Sequence, residues 1–131
     1  MILSSLFIAA SAGRGRGVFA GEDISGGTVI EESPVIVLEE KERILLDQTL
    51  LHDYIFLWGG DQRQCCVALG YISLYNHDYR ANCDYEMEFE NAIIRVTTVR
   101  DVKKGEELCI NYNGNWNDDQ KVWFDLPKFV R

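Results

Sequence analysis

The chain has 131 residues, 47% of them hydrophobic and 26% charged, which is the size and composition of one ordinary globular domain. Its net charge of -8, from 21 acidic and 13 basic residues, argues against a nucleic-acid ligand held through its phosphates. The negative charge either attracts a basic partner or simply keeps the protein soluble. No apolar stretch approaches the roughly 20 residues that span a bilayer, so no membrane partner is expected.

The N-terminal residues are predicted to form strands around a glycine turn. Residues 1–12 superficially resemble a signal peptide that ends in Ala10-x-Ala12, but they lack a basic start and their apolar core is short, so we interpret them as a first strand. Residues 13–17 read Gly-Arg-Gly-Arg-Gly, and three alternate glycines allow positive φ and a close approach of a ligand to the backbone. A plain β-turn is the alternative. Val18 to Ala20 continue as a strand, so the helix of a dinucleotide site is missing.

Two β-branched runs, at 29–32 and 34–38, predict further strands, and Pro34 at the start of the second is suited to a sheet edge or a strand start. One helix is predicted over 40–53. Acidic residues occupy its first turn, and leucines recur at helical spacing as far as Tyr54.

A β-hairpin is predicted after this helix. Residues 84–90 alternate acidic and apolar side chains with period two, which indicates a half-buried strand whose Tyr85, Met87 and Phe89 face the core. The chain then turns and returns over 92–99.

A tight turn at 101–106 leads into a short strand at 108–110. With no repeats or linkers, these elements predict one mostly β domain over 1–131, α+β only through minor helices. Whether it is a monomer or a homodimer is left open.

Four cysteines, at 65, 66, 83 and 109, lack the spacing of a zinc site. We interpret them as buried, reduced thiols of an intracellular protein. A thiol hydrolase that pairs Cys83 with His77 is conceivable, but no surrounding motif suggests thiolate activation.

The most informative stretch is 68–82, where Asn76, His77 and Asn82 follow an apolar run. Such a concentration of amide and imidazole groups suggests a hydrogen-bonded corner that holds a polar ligand or pins a loop. The two histidines of the chain lack metal-ligand spacing, so no metal site is expected.

Three motifs in order, Gly15-Arg16-Gly17, Asn76-His77 and Gly105 to Tyr112, resemble the signature motifs of SET-domain protein lysine methyltransferases. The tail from Asn113 lacks the cysteine-rich zinc segment of many nuclear members, so the resemblance is to minimal, viral-like or bacterial forms. It implies several short sheets with a knot-like crossing near the active site. It also implies an S-adenosylmethionine-dependent enzyme acting on a basic protein or a histone-like tail.

The resemblance also implies roles for individual residues. Tyr112 is the catalytic residue, and Tyr54, Ile110 and Tyr112 line the substrate channel. The residues implied in cofactor binding are Arg14, Gly15, Arg16, Gly17, Tyr75, Asn76, His77 and Trp116. Among these, the side chain of Asn76 meets the methionine part of the cofactor and the backbone of His77 meets the adenine.

Four positions depart from the family pattern. Asp78 replaces a serine, Ala81 replaces a proline, Asn111 replaces an aspartate and Arg16 replaces a frequent aromatic residue. The first two favour an alternative function, a SET-like binding module that has lost catalysis, whereas the intact motifs favour the enzyme.

Ile110 stands where relatives often carry a phenylalanine or tyrosine facing the lysine end. Isoleucine has no hydroxyl and fills less space, so more than one methyl group is expected to be added.

Overall fold

The computed structural model describes residues 1–122, so residues 123–131 of the predicted domain lie outside the described residues. The described strands are β1 (Leu6–Ala10), β2 (Arg16–Ala20), β3 (Val29–Leu38), β4 (Phe56–Trp58), β5 (Gln64–Ala68), β6 (Asn76–His77), β7 (Cys83–Glu88), β8 (Ile93–Thr98) and β9 (Glu107–Ile110). The helical elements are α1 (Glu40–Leu46) and the 3₁₀ turns Leu50–Asp53 and Ile72–Leu74. Within residues 1–122, no helix is long and apolar enough to cross a membrane.

The strands form two sheets, which confirms the mostly β prediction. A four-stranded sheet has the order β1-β2-β9-β6, and a five-stranded sheet has the order β4-β5-β3-β8-β7. All strand pairs are antiparallel except β6 with β9. One apolar cluster draws on both sheets, through residues such as Val18, Ile30 and Leu108, each 0% exposed. The first strand and the strand after the glycine turn are where the sequence predicted them.

The two strands predicted around Pro34 are one continuous strand, and Pro34 is neither at an edge nor at a start. Residues 29–34 of β3 pair with β8 on one side, and residues 35–38 pair with β5 on the other. Pro34 lies where the strand changes partner, at the end of the β8 ladder. Its missing N–H therefore interrupts neither ladder, and its carbonyl accepts a hydrogen bond from the backbone of Leu69 at 3.1 Å.

The predicted helix over 40–53 is too long. α1 ends at Leu46, and a separate 3₁₀ turn follows. The Thr49 hydroxyl donates to the Leu46 carbonyl and accepts from the Leu51 N–H, so this side chain competes with helix hydrogen bonds. None of the residues of α1 or of this turn is buried, and Leu50 is 76% exposed. The helical spacing of the leucines therefore does not mark a core face.

The predicted hairpin of β7 and β8 is confirmed, with Tyr85 opposite Val96 and Met87 opposite Ile94. The expected core face of β7 is only half-buried, however. Beyond the strand end Phe89 is 52% exposed, held edge-on by Trp58 with ring centroids 4.9 Å apart. Tyr85 and Met87 pack against the core cluster as predicted, and together with Phe89 they also line a groove.

The knot-like crossing implied by the resemblance lies where β6 runs beside β9. Asn76 pairs with Cys109 in a parallel ladder of only two residues. Asn82 extends this contact, because its side chain accepts from the Cys109 N–H at 2.8 Å and donates to the Glu107 carbonyl at 2.9 Å. The chain beyond β9 then passes the same segment, where the Ala81 N–H donates to the Trp116 carbonyl.

Asn82 is 4% exposed, so removing its side chain leaves the Cys109 N–H and the Glu107 carbonyl without this hydrogen-bond partner and shielded from water. We expect Asn82→Ala to lower the free energy of unfolding by about 2 to 4 kcal/mol, since each unsatisfied buried group costs about 1–3 kcal/mol. The matched control is Asn91→Ala in the exposed hairpin turn. We expect it to change the free energy of unfolding by less than about 0.5 kcal/mol. Urea denaturation measures both, and equal effects of the two substitutions would contradict the structural role of Asn82.

Candidate active site

The glycine turn joins β1 to β2 and has the conformation that its sequence predicts. Gly13 and Gly15 both adopt φ of +72°, where a β-carbon would be strained. Neither has another atom within 4 Å of its missing side chain, so the backbone of the turn faces open space. The Ser11 N–H closes the turn on the Gly15 carbonyl at 2.8 Å. The turn thus presents an uncovered stretch of backbone to a ligand.

Arg14 of this turn and Asn76 of β6 meet on one carboxylate, that of Glu107. The Asn76 amide donates to Glu107 at 2.7 Å and to the Arg16 carbonyl at 3.1 Å. The Arg14 guanidinium donates to Glu107 at 2.7 Å and to the His77 carbonyl at 3.1 Å. The sequence prediction missed Glu107 as a site residue, although it lies inside the third motif.

Gly17 contributes to the site by its small size. A β-carbon at this position would lie 2.3 Å from Glu107 Oε2 and 2.9 Å from Asn76 Nδ2. Ser11 completes the cluster, since its hydroxyl donates to Glu107 at 2.7 Å. The only sequence signal for these contacts was the glycine itself.

His77 is nearly buried and contacts Tyr112 directly. The Tyr112 N–H donates to His77 Nδ1 at 3.0 Å, which makes Nδ1 the acceptor nitrogen of the ring. The imidazole also packs edge-on against Tyr79, with ring centroids 4.3 Å apart. The side chain of His77 therefore fixes the backbone at Tyr112, while its carbonyl remains in contact with Arg14.

The Tyr112 phenol donates to the main-chain carbonyl of Tyr75 at 2.9 Å. Burial, reinforced by the nearby Cys109, raises the pKa of Tyr112 to about 12. The phenol is consequently neutral at physiological pH and acts as a hydrogen-bond donor.

Two cavities meet at this tyrosine. A cleft of about 390 Å³ includes Arg14, Gly15, Arg16, Asn76 and His77 in its lining. A larger groove of about 860 Å³ runs past Tyr85, Met87 and Phe89. The residues common to both linings are Asp53, Tyr54, Ser73 and Tyr112. A reactive group placed in the groove can therefore approach one placed in the cleft between the two tyrosines.

Tyr54 holds its place in this junction through its backbone. The Ser73 hydroxyl donates to the Tyr54 carbonyl at 2.8 Å, which ties it to the 3₁₀ turn before Tyr75. The Tyr54 side chain is 42% exposed, consistent with a position at a cavity mouth.

Four predicted site residues line neither cavity: Gly17, Tyr75, Ile110 and Trp116. The place of Ile110 in the substrate channel and the number of methyl groups added stay predictions that the cavity linings do not support. Ile110 is 0% exposed and belongs to the core cluster. The physical reason is that β9 lies between β2 and β6, and its last three residues are all buried. The alternation of side chains along β9 therefore does not separate residues that face a substrate channel from residues that face the core.

The rings of Tyr75 and Trp116 are also absent from the linings of both cavities. Tyr75 is 0% exposed and reaches the site only through its carbonyl. The Trp116 backbone N–H donates to Asp84 at 2.8 Å, which fixes the C-terminal segment on β7.

All four cysteines are buried and free of disulfides. Burial raises the pKa of Cys66 to about 12 and that of Cys109 to about 11, and it raises the pKa of Cys83 further. These thiols are protonated at neutral pH, which argues against the thiol hydrolase considered from the sequence.

The cleft suits the cofactor implied by the resemblance. Open backbone at Gly13 and Gly15 and two arginines suit the carboxylate of an amino-acid group, and the amide oxygen of Asn76 is an acceptor that suits its ammonium. The cleft volume lies within the range of small-molecule sites, roughly 300–1,000 Å³.

Comparison with known proteins identifies the family. The SET domain profile matches residues 15–113. The chain is 36% identical over 122 residues to the Schizosaccharomyces pombe protein named histone-lysine N-methyltransferase, H3 lysine-37 specific, covering 92% of this chain and 82% of the relative. It is 33% identical over 99 residues to the histone-lysine N-methyltransferase set9 of the same yeast, covering 74% of this chain and 20% of that one.

Solved structures agree on the fold. A Plasmodium falciparum protein assigned as a histone methyltransferase superposes with a TM-score of 0.69 at 28% identity, covering 88% of this chain and 98% of that one. A chain of the Chaetomium thermophilum Polycomb Repressive Complex 2, solved with S-adenosylmethionine, gives a TM-score of 0.71 at 23% identity, covering 86% of this chain and 16% of that one. The chain therefore belongs to the SET-domain family and is an S-adenosylmethionine-dependent protein-lysine N-methyltransferase.

Proposed function

We propose that the chain methylates a lysine in a histone tail or another basic segment, with the peptide in the larger groove and the cofactor in the smaller cleft. The observation that carries this proposal is that Tyr54 and Tyr112 line both cavities. The names of the two yeast relatives support a histone substrate. The net charge of -8 supports a basic one, which it attracts at long range.

The similarity to the yeast H3 lysine-37 methyltransferase supports an intracellular location for this protein, in the nucleus where its substrate is chromatin. A single domain over the full chain remains part of the proposal. The alternative, a binding module without catalysis, is less well supported, because both yeast relatives are named as methyltransferases.

The proposed mechanism depends on the orientation of the polar atoms at the junction of the two cavities. The cofactor supplies an electrophilic methyl group on a sulfonium. The carbonyl of Tyr75 accepts the hydrogen bond of the Tyr112 phenol and orients it, and the phenol oxygen stabilises positive charge as it shifts from sulfur to nitrogen. Because the phenol is already oriented by this bond, little reorganisation is needed during the reaction.

The target lysine must be neutral to attack. Tyr54 and Tyr112 present ring surface at the junction, and an aromatic, partly dry passage disfavours the charged form of an amine. The side chain of Asp53 lies at the same junction and is exposed, so it attracts the ammonium group before entry. Proton loss to solvent follows as the amine moves between the rings.

Cofactor binding is the first test. S-adenosylhomocysteine should raise the melting temperature, since a ligand at 100 times its Kd stabilises the folded state by about 2.7 kcal/mol. Asn76→Ala removes a polar side chain from the cleft lining and should reduce the shift, whereas Asn91→Ala should keep it. Differential scanning fluorimetry measures all three. An unmoved wild type, or a full shift in Asn76→Ala, would refute the assignment of the cleft.

The role of Tyr112 is tested separately from binding. Tyr112→Phe keeps the ring, so the shift with S-adenosylhomocysteine should persist while kcat falls roughly 10²-fold or more, the scale for one preorganised polar group. Tyr85→Phe is the matched control, because its hydroxyl also lies near this site, 3.4 Å from the Tyr112 carbonyl. It should retain most of the turnover. A Tyr112→Phe enzyme with wild-type kcat removes the phenol from the mechanism.

The pH profile distinguishes the phenol from the substrate amine. The pKa of Tyr112 is about 12, above its usual value, so its neutral form persists throughout the alkaline range. A free lysine has a pKa of about 10.4, so kcat/KM should rise between pH 7 and 9 as the amine deprotonates. Tyr112→Phe should keep the same slope at a lower rate. A falling limb below pH 10 that disappears in Tyr112→Phe would mean that the phenol titrates during catalysis.

A further inference from the structure

Glu31 is a carboxylate outside the three motifs, and it is 0% exposed in the interior of β3. Three donors converge on it. The Tyr75 hydroxyl donates to Oε1 at 2.9 Å, while the Ser33 hydroxyl and the Tyr71 N–H donate to Oε2 at 2.6 and 2.8 Å. A carboxylate is costly to bury, and these three bonds satisfy it.

The segment beside this carboxylate is shaped to receive it. Gly70 adopts φ of +65°, and a β-carbon there would lie 2.3 Å from Glu31 Oε2 and 2.4 Å from Ser33 Oγ. The backbone at Gly70 thus passes directly against the carboxylate. Burial also raises the pKa of Tyr75 well above its usual value, and Glu31 adds to the rise, which keeps the hydroxyl a donor.

Two of the three donors stand at opposite ends of the 3₁₀ turn Ile72–Leu74. Tyr71 precedes the turn and Tyr75 follows it. The main-chain carbonyl of Tyr75 is the acceptor for the Tyr112 phenol. Glu31 therefore holds both ends of the short element that carries this acceptor.

We propose that Glu31 is a positioning residue for methyl transfer: by anchoring both ends of this turn it fixes the Tyr75 carbonyl and, through it, the direction of the Tyr112 phenol. The inference rests on the proposed role of Tyr112. Glu31 itself lines neither cavity, so it acts through the turn and not on the substrate. Releasing the turn lets the phenol rotate, and a misplacement on the order of 1 Å can cost 10²-fold in rate.

A purely stabilising Glu31 would give a different result. Both roles lower the melting temperature when the carboxylate is changed, so stability alone does not separate them. They differ when the Tyr112 hydroxyl is absent, since a residue that acts through this hydroxyl has nothing left to orient.

The experiment is a double-mutant cycle in kcat at saturating peptide and cofactor. Tyr75→Phe removes one hydroxyl from Glu31 and leaves the ring, and Glu31→Gln changes the anchor itself. In the otherwise wild-type enzyme, each should lower kcat roughly tenfold or more, with KM and the affinity for S-adenosylhomocysteine changed less than about twofold. In the Tyr112→Phe background, each should change kcat less than about twofold.

Val102→Ala is the control for stability. Val102 is 1% exposed and pairs with Ile24, away from both cavities, so its truncation destabilises the fold without touching the turn. At a temperature where all variants are folded, it should keep wild-type kcat at a melting temperature as low as that of Tyr75→Phe. Should Glu31→Gln not fold, Tyr75→Phe alone completes the cycle.

Each outcome bears on one assignment. Equal losses from Tyr75→Phe in both backgrounds, or no loss in the wild-type background, overturn the positioning role while the proposed function stands. A wild-type kcat in Tyr112→Phe instead overturns the catalytic role of the phenol, and it is read from that single variant.

Discussion

Three segments far apart in sequence meet on one carboxylate, and the rest of the site depends on that meeting. Glu107 accepts hydrogen bonds from Ser11 and Arg14 of the first segment and from Asn76 of the second, while it belongs to the third. Its side chain is only 13% exposed, so these charge-assisted bonds are little screened by water. A glycine at residue 17 is needed simply to make room for this cluster.

The second constraint is the length of β6. Two residues cannot hold a parallel ladder alone, and the side chain of Asn82 supplies the bonds that a longer strand would have made. Because β6 is so short, Asn76 and His77 lie next to Tyr112 with almost no intervening structure. Because the chain on either side of Tyr112 contacts the same segment, the site is fixed from two directions.

Much of the fold could be predicted from local pattern, and the failures have physical causes. The hairpin was predictable because period-two alternation over 84–90 is a local signal. The helix was predicted too long because Thr49 offers its backbone neighbours alternative bonds. The full burial of Ile110 was not predictable, because strand faces depend on which neighbours cover them, and sequence does not reveal that. Glu31 and Glu107 escaped prediction because all of the described hydrogen-bond partners of their carboxylates except Ser33 lie 31 to 96 residues away.

The contact between Arg14 and the carbonyl of His77 joins the glycine turn to β6 without using Glu107. The carbonyl accepts a guanidinium N–H at 3.1 Å. A backbone carbonyl has two lone pairs, so this bond does not by itself exclude a second donor. A ligand N–H that bonds this carbonyl would therefore act on the same oxygen as the glycine turn, and the binding of such a ligand would be coupled to the position of the turn.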